Sequence, residues 1–437
     1  MNLTFSDRDI HKTTATLEKQ LVPFMNRFPG SAGERQPVHT VYGGAQLFRF
    51  DTTKKLGEVA LRMMTEHGVD PMTFASAIGL PDQELAGLIW SRVREKLKRE
   101  PVEDFRIDFE DGYGNRPDAE EDGHAEAAAR EVGRGMREQT LPPFIGIRIK
   151  PFTQELMRRS IRTFDIFLTT LLRESGGKLP SGFVVTLPKI QLPEQVTVLA
   201  DLYDMIEPRL RLPKGTLRLE FMIETTQSIL DANGQSNLPK FLDAARGRAV
   251  AAHFGTYDYT ASCNITASQQ RMDHPACDFA RHMMQVAYSG TGLWLSDGAT
   301  NVLPIGDRET VHRAWRLHVD HIRHSLVHAY YQGWDLHPAQ LPTRYAAVYS
   351  FFLEGLDAAT ERLRNFMQKA GQATLVGDVF DDAATGQGLL NYFIRGINSG
   401  ALSEDEALAT GLTLDELRSR SFVKILKGRR ESKSSER

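Results

Sequence analysis

Charged side chains recur at the ends of short apolar runs in this sequence. The stretch "LRLEFMIETTQS" (217–228) carries an apolar run as far as Glu224 and then turns polar. A buried, unpaired carboxylate is costly, so Glu224 belongs at a strand mouth beside a cation or a donor. "DFRIDFEDG" delivers Asp108, Glu110 and Asp111, "FIGIRIK" carries Arg148, "GFVVTLPK" ends on Lys189, and "HFGTYDY" reaches Asp258. Taken singly, each reads as an exposed strand-end charge or a local ion pair. Placed at successive strand ends, they gather several carboxylates and two cations around one opening.

Glu224 and Asp258 have the strongest claim as metal ligands. Magnesium prefers hard oxygen donors and commonly takes one or two carboxylates, keeping its other positions for water and substrate. Histidine or thiolate clusters that would select zinc do not accompany these acids. Arg148 supplies a planar fork able to grip a carboxylate in bidentate fashion. A metal plus a carboxylate clamp describes a pocket for a 2-oxo acid.

Those side chains need a scaffold that brings strand ends together. β-rich runs at 38–44, 104–111, 144–150, 182–189, 217–224, 249–255, 292–298 and 334–338 alternate with helical patterns at 124–138, 193–206, 274–287 and 309–331. Between the third and fourth runs, Leu156, Ile161, Phe164, Leu168 and Leu171 form one apolar face that Gly176 and Gly177 terminate. The alternation predicts an α/β fold, a parallel sheet closed as a TIM (β/α)8 barrel whose strand C-termini share one mouth. The organisation expected is a helical lead-in (1–37), a barrel (38–350) with a helical insertion at about 67–100, a helical C-terminal extension (351–426) and a disordered tail (427–437). "SEDE" at 403–406 and "TLDE" at 413–416 read as capping boxes within that extension.

Composition bounds the class. The 437 residues are 41% hydrophobic and 25% charged, with a formal net charge of −3, so nothing global points to nucleic acid or an anionic membrane. The N-terminal segment is too charged for a signal peptide, and no apolar run approaches the roughly 20 residues that span a bilayer. Two cysteines, Cys263 and Cys277, build neither a disulfide framework nor a zinc cage and suit a reducing cytoplasm. His274, Cys277 and His282 on one helix read as helix-surface packing without a partner elsewhere; of His312, His318, His321, His324 and His328 on another, His324 and His328 have the i, i+4 spacing a metal stripe needs but read as solvated or capping residues.

Six motifs in order, "RIDFEDGYG", "IGIRIKPF", "VVTLPKIQLPEQV", "LEFMIETTQSIL", "FGTYDYTAS" and "GWDLHPAQL", resemble the citrate lyase β-subunit and malyl-CoA lyase branch of the HpcH/HpaI aldolase superfamily over residues 38–350. The resemblance implies a TIM barrel, commonly a homo-trimer or hexamer. It implies Glu224 and Asp258 as ligands of Mg2+, with Mn2+ as the alternative ion. Arg148 matches the arginine that holds the oxo-acid carboxylate. Asp108, Glu110 and Asp111 match the acidic motif, and Lys189 and His337 match further site positions. The implied reaction is carbon–carbon cleavage through a metal-stabilised enolate, with Glu110 and Asp111 as candidate acid–base groups. An acyl-CoA thioesterase or condensing enzyme, or a non-catalytic metabolite-binding subunit, are the alternatives. Lys150 stands where the family has asparagine, and the first strand lacks the Val-Pro-Gly at which relatives approach CoA. A CoA thioester partner would then depend on Gly43 and Gly44 forming an anion nest in place of a tight turn. The C-terminal helices are expected either to close over the mouth or to cover the barrel base or an oligomer interface.

Overall fold

The computed structural model describes residues 4–30, 33–80, 82–368, 374–376, 379–381, 383–419, 424–425 and 428. A lone helix, α1 (Asp7–Arg27), opens the chain, capped by Ser6 and Asp9 in a reciprocal capping box. Then come β1 (His39–Gly44), α2 (Thr52–His67), α3 (Pro71–Ile78), α4 (Ala86–Arg99), β2 (Asp104–Asp108), α5 (Asp118–Glu138) and β3 (Phe144–Arg148). These lead to α6 (Met157–Glu174), β4 (Val184–Leu187), α7 (Pro193–Arg209), β5 (Arg218–Ile223), α8 (Thr226–Ile229), α9 (Leu238–Ala244) and β6 (Ala249–Phe254). The barrel ends with α10 (Thr256–Ser262), α11 (Pro275–Tyr288), β7 (Trp294–Ala299), α12 (Arg308–Val327), β8 (Gln332–Asp335) and α13 (Leu341–Glu354). Strands β1 to β8 pair in sequence order, all parallel, and β8 returns to β1, closing the expected eight-stranded barrel.

The strand period of two decides what each side chain meets. On β2, Asp104, Arg106 and Asp108 turn inward; on β5, Glu220 and Met222 do so, with Glu224 continuing that face. Arg106 demonstrates the interior placement, because it reaches across the barrel to Glu220 on a strand that β2 does not adjoin. The alternate residues Phe105, Ile107, Leu219, Phe221 and Ile223 are buried against the helical layer. On α6 the anticipated face packs inward through Phe164, Leu168 and Leu171, and Gly176 and Gly177 adopt the left-handed backbone that stops the helix.

Two boundaries move. The eighth strand starts at Gln332, where the sequence pattern runs the preceding helix to 331 and starts the strand at 334. The helix that completes the barrel, α13, runs past 350 with Phe352 and Leu353 buried, so the barrel ends at Glu354. The extension is also not wholly helical. After α14 (Leu356–Gln368), a two-stranded antiparallel pair, β9 (Thr374–Val376) and β10 (Val379–Asp381), precedes α15 (Ala383–Asn398), α16 (Glu404–Leu408) and α17 (Leu414–Ser419). Both capping boxes form, Ser403 with Glu406 and Thr413 with Glu416. The tail placed at 427–437 lies outside the described residues apart from Gly428.

The extension packs on the side and base of the barrel. Arg92 on α4 pairs with Glu406 (2.7 Å), and Arg395 on α15 donates to Gln36 (2.5 Å) just before β1 begins. Gln36 in turn donates to Gln332, the first residue of β8. These contacts lie at the strand N-termini, opposite the mouth. Within one chain the base-covering arrangement is the one adopted.

Candidate active site

Register first sets the geometry. Gly44, Asp108 and Arg148 are consecutive partners across β1, β2 and β3, so an acid and an arginine meet at the barrel mouth. Arg148 is buried, and its Nε and Nη2 donate to the two oxygens of Asp108 at 2.7 and 2.6 Å. Asp108 also accepts from the backbone N–H groups of Glu110 (3.0 Å) and Gly112 (2.7 Å), so it organises the loop as well as the arginine. A Cβ at position 112 would stand 2.7 Å from the Asp108 carboxylate, which explains the glycine. Protein donors thus engage both oxygens of Asp108, and the carboxylate orients Arg148.

The arginine fork is half used in consequence. Its Nε/Nη2 edge belongs to Asp108, and Nη1 faces the mouth, 3.0 Å from Glu110 Oε2 and 3.7 Å from the Met222 sulfur. Tyr42 lies against the guanidinium plane at 4.8 Å and Trp334 at 6.0 Å, the two rings packing 4.5 Å apart. This aromatic wall is not evident in the sequence motifs. Tyr42 and Trp334 are strand residues, and only the closed β1–β8 pairing makes them neighbours.

Lys189 is the hub of the acid cluster. Its Nζ pairs with Glu110, lies 3.2 Å from Asp111 and 3.3 Å from Asp258, and its backbone N–H donates to Glu224 Oε1 at 2.6 Å. The backbone at Lys189 is left-handed (φ 50°), an uncommon state for a non-glycine residue. That turn directs the N–H to one acid and the ammonium to three others. Burial pulls the Lys189 amine down, but Glu224 and Glu110 outweigh it and hold the amine above its ordinary value, so it stays charged. A Schiff-base lysine needs the opposite shift.

Glu224 is 1% exposed and its carboxyl is pushed up to about 8, first by burial and then by Asp258 and Glu110, against Lys189. Burial likewise raises Glu110. Asp111 is pushed up by burial, yet Arg148 and Lys189 together hold it below the usual carboxylate range. Gly255 follows β6 beside Glu224, where an added Cβ would fall 2.5 Å from the Glu224 Cβ. Five carboxylates, those of Asp108, Glu110, Asp111, Glu224 and Asp258, thus face two cations, Arg148 and Lys189. That excess of hard oxygen donors fits a hard divalent cation.

Three anticipated site positions, Gly43, Gly44 and His337, have local structural roles. Gly43 and Gly44 sit within β1, neither with positive φ, so they form no nest. They are glycines for space: a Cβ on Gly43 would meet the Phe105 ring at 2.6 Å, and one on Gly44 the Gly112 carbonyl at 2.4 Å. His337 caps the short turn after β8, its Nδ1 accepting from the Ala339 N–H at 3.1 Å. Lys150 points away from the mouth, donating to the Phe109 carbonyl (2.6 Å) and pairing with Glu121 (3.1 Å).

Below the mouth lies a polar layer hidden within apolar-looking strands. Arg106 binds Glu220 and Thr186, Asp104 accepts from Arg106 and Thr40, and Trp334 donates to His253. A cavity of about 760 Å³ opens beneath that layer at the strand N-termini, touching Asp104, Arg106 and Glu220 and reaching Arg27 of α1. It is separate from the mouth acids. Barrel chemistry resides at the strand C-termini, so the mouth is the candidate active site.

A family model described as "Domain of unknown function (DUF6986)" matches residues 17–425. No curated protein matches the sequence. Among solved structures, a citrate lyase from Burkholderia xenovorans LB400 is 21% identical, aligning over 75% of this chain and 93% of its own with a TM-score of 0.56. A Haloferax volcanii malate synthase, solved as a magnesium/glyoxylate complex, is 14% identical over 89% of this chain and 96% of its own, with a TM-score of 0.46. At such identities the citrate lyase likeness speaks for the barrel fold. No helix among the described residues is long and apolar enough to cross a membrane.

Proposed function

This chain belongs to the DUF6986 family, and we propose that it is a magnesium-dependent carbon–carbon lyase acting on a 2-oxo acid or a related hydroxy-acyl substrate. The observation that carries the reading is the charge imbalance at the mouth, where five carboxylates share two cations. Glu224 and Asp258 would hold the ion, with Glu110 and Asp111 near enough to hold its water. When bound, the ion would polarise the oxo group and stabilise negative charge developing beside the carboxylate.

The chain's own residues supply the rest. Arg148, fixed by Asp108, presents Nη1 to a substrate carboxylate, which would displace Glu110 from that nitrogen. Tyr42 and Trp334 wall the carbon skeleton and exclude water from it. Glu110, buried and with its carboxyl raised above the ordinary value by that burial, is the mouth acid suited to serve as general acid or base. The oxo-acid end of the pocket is the part these residues describe. With no backbone nest in β1, the acyl end lacks the phosphate anchor a CoA thioester would use there.

Thermal-shift screening of 2-oxo acids with and without Mg2+ tests the proposal, because a ligand that binds only the native state raises its melting temperature. Stabilisation that needs both components supports it. Equal shifts without metal, retained in Glu224→Gln, would remove the metal assignment.

A further inference from the structure

Away from the mouth, the outer helical layer gathers a second set of ligating side chains. Asp278 and His282 lie one turn apart on α11, and His324 and His328 one turn apart at the end of α12. On sequence alone neither pair has a partner; the packing of the two helices supplies it. The Asp278, His324 and His328 ligand atoms all lie within 4.8 Å of one another, the one such group of three among the described residues. Asp278 Oδ1 is 2.8 Å from His324 Nε2, the His324 and His328 rings are 4.5 Å apart, and the His282 ring follows 5.6 Å from His328.

Orientation matters as much as proximity. His328 Nδ1 donates to the His324 carbonyl at 2.8 Å, which leaves its Nε2 as the lone-pair nitrogen. Ligating histidines in metal sites are held in this way, with the second ring nitrogen donating to a carbonyl or carboxylate. Gln285 of α11 donates to the His328 carbonyl and pins the end of α12. Among the described residues, Arg281 is the opposing cation at the cluster, 2.6 Å from Asp278 Oδ1 and 3.3 Å from His324 Nε2. Its charge is already met by Asp297, whose oxygens lie 3.0 and 3.1 Å from Nη1. All three ligands are partly exposed, so an ion can reach them from solvent.

We propose that Asp278, His324 and His328 form a second metal site, one for a borderline divalent transition ion such as Zn2+, Co2+ or Ni2+, clamping α11 to α12. Two imidazoles and one carboxylate select such ions over Mg2+, which favours all-oxygen surroundings. The site is chemically distinct from the mouth and independent of the activity proposed there.

Co2+ is the probe, followed by its visible d–d absorption and by calorimetry, using full-length Glu224→Gln so that the mouth contributes least. The expected result is a single saturating equivalent with nitrogen-ligand absorption. His328→Gln should weaken it by more than about 100-fold, beyond the loss caused by removing an outer-shell partner. Asp278→Asn, which still accepts from Arg281, should weaken it as well, guarding against misfolding of the histidine variant. Circular dichroism should show both variants folded without metal. Absence of the absorption band, or unchanged Co2+ affinity in the folded variants, would overturn the site.

Discussion

Arg148 ties the fold to the proposed chemistry in one side chain. Its bidentate pair with Asp108 is buried, and breaking such a pair from one side commonly costs about 3–5 kcal/mol. Arg148→Lys keeps the charge but cannot fill both Asp108 oxygens and still face the mouth. We expect it to lower both melting temperature and kcat/KM; an unchanged value of either would show that the fork is dispensable. Asp258 behaves differently, because its carboxylate is half exposed and bonded only to Lys189 among the acids and bases of the mouth. Asp258→Asn should therefore leave the melting temperature within about 0.5 kcal/mol equivalent of wild type, as surface changes usually do, while reducing Mg2+ affinity. Unaltered Mg2+ binding in that variant would exclude Asp258 as a ligand.

Elements carry the pH dependence. On α12, His318 and His321 are buried: His318 lies 3.1 Å from Asp335, and His321 bonds to Thr300 at 2.9 Å. Burial pulls His321 down to about 4 and His318 below its ordinary value. The unfolded chain binds protons at these positions from about pH 6.5 downward, before the folded chain does. The His321 contribution to stability is thus fully present above about pH 6.5 and is lost as pH falls toward 4, at up to about 1.4 kcal/mol per pH unit, and His318 acts in the same direction. Chemical denaturation across that window should show the slope, and His321→Gln should flatten it; an unchanged slope would mean that His321 stays neutral in neither state or both. The same helix shows what was legible in the sequence. Its 3.6-residue period gave the element, but which histidines face inward depended on α13 and β8, far along the chain. The barrel was legible because eight β-rich runs alternate with helices, and the mouth acids because they end such runs or follow them within a few residues. Glu220 and Met222 were hidden only by the apolar look of "LRLEFMIE", though its period of two already aligned them with Glu224. The Asp108–Arg148 lock and the Tyr42–Trp334 wall required strand register, which no local pattern encodes.

For the whole molecule, the C-terminal extension belongs to the fold. Leu363 and Phe366 on α14 and Leu390 and Phe393 on α15 are all fully buried. Leu390→Ala should cost about 2–5 kcal/mol, and truncation after Glu354 should expose that apolar surface and give an aggregating product. A soluble, monodisperse truncation with native melting behaviour would show that the extension is dispensable. At the mouth, the barrel closes five carboxylates around Lys189 and Arg148. Calorimetric titration of Mg2+ into the wild-type chain and into Glu224→Gln, each with a 2-oxo acid such as glyoxylate or pyruvate present, tests it most directly. The account predicts saturable Mg2+ binding in the wild type, enhanced by the oxo acid and abolished in Glu224→Gln. Equal Mg2+ binding in both proteins, or no binding in the wild type, would contradict it.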